Sequence, residues 1–122
     1  MEDRTWQQVQ KAELSVRKAE LLISRKEITK AIESLKKAIE IVDNWEEEFE
    51  YGKYGDFMIP LVSAHYLLGE VFLMQGEYAI AREHLLFIKN NYDEIEEHWD
   101  DLFNDEVQKS NFLLSLIDKY AD

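Results

Sequence analysis

Between Val62 and Ile95 two apolar stripes at helical spacing stand on either side of one glycine. Leu68, Val71 and Phe72 precede Gly76, and Tyr78, Ala81, Leu85 and Ile88 follow it. Apolar residues three and four apart lie on one side of an α-helix, so each stripe predicts a helix that has to bury a face. A connection this short folds the second helix back on the first as an antiparallel pair. Gly69 and Ala81 put a minimal side chain on each helix, which lets the backbones approach where they cross. Glycine inside a helix costs roughly 1 kcal/mol relative to alanine, so Gly69 implies a packing reason.

The same pattern occurs earlier in the chain. Over residues 5–25, Trp6, Val9, Ala12, Val16, Ala19, Leu22 and Ile23 recur every three or four positions. After a polar break at Ser24 to Glu27 a second run follows: Ile28, Ala31, Ile32, Leu35, Ala38, Ile39 and Val42. Shifted by 50, Ala19 falls on Gly69, Leu22 on Phe72, Lys26 on Gly76, Ile28 on Tyr78, Ala31 on Ala81, Leu35 on Leu85 and Ala38 on Ile88. Seven matches at one offset define an internal repeat of a helix pair.

The residues between the copies carry their own signals. Trp45 and Phe49 continue the stripe of the second helix, which predicts that it runs to about residue 51 before Gly52 and Gly55 stop it. Pro60 suits the first turn of the third helix, predicted from 59–61 to 75. Tyr51, Tyr54 and Phe57 either cover the apolar seam opened by the insertion or form an exposed interface patch. A fourth helix is expected over 77–91. Beyond it Asp93 and Glu96 have the spacing of a capping box ahead of Trp99, Leu102 and Phe103. Val107, Leu113, Leu114, Leu116, Ile117 and Tyr120 belong to the last helical segment, and one or two helices over 93–121 both fit.

With 122 residues and 46% hydrophobic content the chain has room for one folded domain. It has no cysteine, so packing alone must hold it together. Charge is unevenly spread: residues 1–43 hold 9 basic and 8 acidic side chains, residues 44–122 hold 5 and 18. The acidic part repels phosphate backbones, which disfavours nucleic acid and anionic membranes as partners and favours a basic one. The first ten residues lack the basic and apolar regions of a signal peptide, and no apolar run approaches the ~18 residues of a membrane span. A cytoplasmic location is the expectation.

Leu68, Gly69, Phe72, Gly76, Tyr78 and Ala81 resemble the tetratricopeptide repeat (TPR) signature, a helix-turn-helix unit of 34 residues. The offset of 50 leaves 16 residues over, which the insertion accounts for. The resemblance covers about residues 12–95 and is weaker in the first copy, where Ala19 and Lys26 replace glycines. It implies an all-α superhelix: repeat one over 12–45, an insertion over 46–61, repeat two over 62–95 and a C-terminal cap over 96–122. It also implies a protein-binding adaptor whose concave surface is lined by the first helix of each repeat. The matching residues here are Glu13, Val16, Glu20, Ile23, Ser63, Tyr66, Glu70, Leu73 and Met74. Glu20 and Glu70 stand where some family members use cations to hold acidic tails. The expected ligand is therefore a peptide or helix with apolar anchors and basic residues. Alternatively the C-terminal helix fills this groove. A stack of two repeats also leaves ends to cover, so self-association is open.

A competing chemistry attaches to the acidic run Glu46, Glu47, Glu48 and Glu50. Glu46, Glu47 and Glu50 resemble the Glu-Glu-x-x-Glu helix of all-α nucleotide pyrophosphohydrolases of the MazG type, which gathers carboxylates around Mg²⁺. Glu97 and Asp100 fit that family's second pattern but come 47 residues after Glu50, farther than it allows. His65, His84 and His98 show no i,i+4 ligand pair on one helix. The expectation is a binding protein with no catalytic residue, no metal and no cofactor.

Overall fold

The computed structural model describes residues 4–49 and 52–120, and every described regular element is helical. The elements are α1 (Arg4–Ser24), α2 (Ile28–Asp43), a 3-10 turn (Gly55–Phe57), α3 (Met58–Met74), α4 (Tyr78–Asn90), α5 (Tyr92–Trp99) and α6 (Asn104–Tyr120). An all-α chain is what the apolar periodicity predicted. The chain divides into two compact units, Met1–Ala64 and His65–Asp122, so the division falls inside α3.

In the first unit α1 packs along α2. The buried faces are Val9, Ala12, Val16 and Ala19 on α1 and Ala31, Ser34, Leu35, Ala38 and Val42 on α2. Most of these side chains are small. Trp6, expected in the stripe, is instead 45% exposed. Helix α1 closes with a Schellman turn: Glu27 N–H donates to the Leu22 carbonyl at 2.8 Å and Lys26 N–H to Ile23 at 2.9 Å. Lys26 sits at φ 63°, the left-handed conformation such a turn requires.

Helix α2 stops at Asp43, eight residues short of the predicted end. Its last turn contains no basic residue, and Asp43, Glu46, Glu47 and Glu48 would pile negative charge onto the negative end of the helix dipole. The aromatic residues whose spacing predicts more helix fold back instead. Trp45 and Phe49 lie against Phe57, with ring centroids 5.5 and 5.6 Å away, and Tyr54 lies 6.2 Å from Phe49. Phe57 is fully buried, and the 3-10 turn that carries it touches α1. The small side chains of the first hairpin are thus supplemented by bulk from the insertion. A Cβ built on Gly55, which sits at φ 54°, would lie 3.2 Å from Phe49 Cβ, so both its backbone and its bare Cα are needed.

The second unit begins within α3. Leu68, Val71 and Phe72 of α3 are buried, as are Ala81, Leu85 and Ile88 of α4. A Cβ built on Gly69 would lie 2.6 Å from Leu85 Cγ and 3.4 Å from the Ala81 carbonyl oxygen. The close approach predicted from Gly69 and Ala81 is therefore present. Tyr78, by contrast, is 46% exposed and does not serve the stripe. Helix α6 packs on α4 through Ser110, Leu114 and Ile117, with Arg82 and Asp118 paired at 3.1 Å on the rim.

Residues 93–121, where one or two helices both fitted, hold α5 and α6, separated by a turn with Asp100 at φ 52°. The Asp93–Glu96 capping box does not form. Asn91 occupies the cap position, so Asp93 is already in the first turn, two places too late to cap it. The expectation about apolar runs also needs correction. Gly55–Met74 is long and apolar enough to cross a membrane by length and composition, with mean hydropathy 1.6. Some 56% of that stretch is buried inside the protein, as in a core helix of a globular fold. Ser63, Glu70 and the histidine His65 interrupt it too lightly to lower the average.

Candidate functional site

On α1 the expected lining residues differ in what they offer. Val16 is buried at 1% exposure and belongs to the core, so it presents no surface to a ligand. Its four-residue spacing from Ala12 already placed it on the inward face. Glu13 and Ile23 are half-buried and Glu20 is exposed. Arg17 lies between the two carboxylates, 3.6 Å from Glu13 and 3.0 Å from Glu20. Burial raises the Glu13 carboxyl above its ordinary range, with Arg17 partly opposing the rise and Glu20 adding to it. Ser63, in the same unit, is half-buried on α3.

The second unit groups its residues more tightly. Tyr66, Glu70 and Leu73 are half-buried, and Met74 is 65% exposed at the end of α3. The Tyr66 hydroxyl donates a 2.7 Å hydrogen bond to Glu70 Oε2, one helical turn on. Burial holds the Tyr66 hydroxyl in its protonated form, helped by that bond and by the negative charges of Glu70 and Glu106. Glu106, from the start of α6, was not singled out in the sequence. Its Oε2 is buried and accepts no hydrogen bond among the described residues. A tyrosine and two carboxylates thus share one partly buried corner, with an acceptor to spare. Only the abundance of acid after residue 43 hinted at this, because nothing local links residue 106 to 66.

The histidines of paired helices meet. His65 Nδ1 lies 3.0 Å from His84 Nδ1, so one ring donates and the other accepts. His65 stacks on Phe87 at 3.9 Å, and His84 lies parallel to Phe72. Burial, then the neighbouring His84, pushes the His65 imidazolium pKa down to about 3, which keeps the ring neutral. His98 sits apart on α5, beside Glu97. Among the described residues no three His, Asp or Glu side chains are placed to hold one metal ion.

Phe57 is enclosed and Tyr54 half-buried against Phe49, so these two do not form an exposed patch, while Tyr51 lies outside the described residues. The acidic run loses its helical premise. Glu46 and Glu47 follow the end of α2 in irregular chain, so the spacing that would align them on one helix face is absent. Glu47 instead pairs with Arg4, whose guanidinium lies over Trp45 at 5.3 Å. Glu50 lies outside the described residues.

The two hairpins share their turns in detail. Around the second elbow Glu77 N–H donates to the Phe72 carbonyl at 2.9 Å and Gly76 N–H to Leu73 at 3.0 Å, with Gly76 at φ 79°. Each bond is the counterpart, 50 residues on, of one at Lys26 and Glu27. The residues that start α2 and α4 match too: Glu27 has φ −89°, ψ 67°, and Glu77 has φ −89°, ψ 71°. No protein-family model, curated protein or solved structure gives a significant match to this chain.

Proposed function

We propose that the chain is a TPR-like adaptor without catalytic chemistry, holding a segment of a partner protein on the first-helix side of its hairpins. The observation that carries this reading is the hairpin built twice, with the same elbow bonds at an offset of 50. A helix-turn-helix that recurs in such detail is the unit from which repeat scaffolds are made.

The second hairpin gives the best-defined surface. Leu73 and the exposed Met74 supply apolar contact, and methionine adapts to varied partners. Beside them the carboxylates of Glu70 and Glu106, with the Tyr66 hydroxyl, form a corner suited to an arginine or lysine. A peptide or helix with an apolar anchor next to a basic residue matches both features. Nucleic acid and anionic membrane do not, because the acidic part of the chain repels them.

Selection from a displayed random-peptide library tests this. Enrichment of sequences pairing a large apolar residue with Arg or Lys is expected, with binding weakened at least about tenfold in the Tyr66→Ala/Glu70→Lys double variant. Failure to enrich any peptide, or equal binding to the variant, would overturn the assignment.

A further inference from the structure

We infer that the outer face of α1 docks onto the acidic α5 segment of a second copy of this chain, a head-to-tail contact that involves neither Tyr66 nor Glu70. The first observation is an apolar pair left open. Leu14 and Leu21, seven residues apart on α1, are 69% and 60% exposed and lie on the side away from buried Val9, Ala12, Val16 and Ala19. In a lone helix this surface has nothing to recommend leucine.

The internal repeat shows what such a face becomes when it has neighbours. Shifted by 50, Leu14, Lys18 and Leu21 correspond to Ala64, Leu68 and Val71, each of which is completely buried. The register that the second copy covers is the one the first copy leaves in water. Lysine at position 18, where the second copy has leucine, makes the open face both sticky and positive.

Charge selects the occupant. Lys11, Lys18 and Arg25 flank the two leucines, while Glu13 and Glu20 are engaged by Arg17. The stretch from Tyr92 to Leu102 holds Asp93, Glu94, Glu96, Glu97, Asp100 and Asp101 and no lysine or arginine. Its two ends, Tyr92 and Leu102, are exposed apolar side chains. A leucine pair bordered by cations thus faces a complementary strip bordered by anions. Pairing α1 with another α1 would set like charges together, so the contact uses two different surfaces and leaves each copy with one more to offer.

Sedimentation velocity on the full chain tests this with two surface variants, Leu14→Asp/Lys18→Glu and Glu97→Lys/Asp101→Lys, each checked for helicity by circular dichroism. The unaltered protein should associate with rising concentration, and less so in high salt. Each variant alone should stay monomeric, and an equimolar mixture should form a one-to-one pair and nothing larger. An unaltered protein that is monomeric at high micromolar concentration would overturn the inference. So would self-association of either variant, or a mixture that fails to pair.

Discussion

The hairpin α1–α2 and the hairpin α3–α4 share a backbone elbow but fasten their helices by different means. In the first, Ser34 Oγ donates a 2.7 Å hydrogen bond to the Ser15 carbonyl. In the second the positions 50 residues on are His84 and His65, and the rings bond to each other. The cross-helix polar link is kept at one register while its chemistry changes from a hydroxyl to an ionisable pair. At the crossing point the first copy has Ala19 and the second Gly69, which allows Leu85 within 2.6 Å of where a Cβ would stand. A repeat therefore preserves geometry more strictly than the side chains that secure it.

The largest expected difference is in acid. An unfolded histidine binds a proton near pH 6.5, whereas His65 in the fold does so only near pH 3. Between those values the unfolded state holds more protons, so stability falls as pH drops and is retained above 6.5. From pH 6.5 to pH 4.5 this contributes a loss of about 2–3 kcal/mol. Urea unfolding across that range should show it as a difference between the unaltered protein and His65→Gln. A Ser34→Ala change, which removes the hydroxyl link at the matching register, should leave the pH dependence alone. Equal slopes for His65→Gln and the parent would break the contrast.

Next in size is the crossing point. Gly69→Ala forces its methyl into Leu85, an overpacking cost of about 1–3 kcal/mol against a gain of about 1 kcal/mol in helix propensity. A net loss of up to about 2 kcal/mol is expected in thermal unfolding. Ala19→Gly should lose about 1 kcal/mol for the opposite reason, through propensity. A stabilised Gly69→Ala protein would show that the two crossings do not differ as described.

The elbows give the smallest effects. Among the described residues nothing lies within 4 Å of a Cβ placed on Gly76, so Gly76→Ala costs only the strain of the left-handed backbone, about 1 kcal/mol. Lys26 already bears that strain, and Lys26→Gly should stabilise by about 0.5–1 kcal/mol. Opposite signs for the two substitutions, read from denaturant midpoints, are the signature of a shared elbow.

Helices, elbows and the Gly69 crossing were legible because they depend on local spacing and on residues with few conformational options. The end of α2 was not. Trp45 and Phe49 keep helical phase, and only the carboxylates gathered around Asp43 argued against continuation. Val16 was misplaced because a helix has an inward and a lateral side that a family pattern does not separate by itself. The histidine pair was readable in hindsight from one fact: His65 and His84 are 19 residues apart, as are Ser15 and Ser34. Glu106 was beyond reach, since its neighbour Tyr66 is 40 positions away and no periodicity joins them.

The apolar character of Gly55–Met74 has a consequence for synthesis. A nascent chain that has emerged only as far as Gly76 displays its greasiest stretch before α4, which supplies Leu85 against Gly69, has left the ribosome. The order of synthesis thereby leaves that stretch without its α4 neighbours until residues 78–90 have followed it.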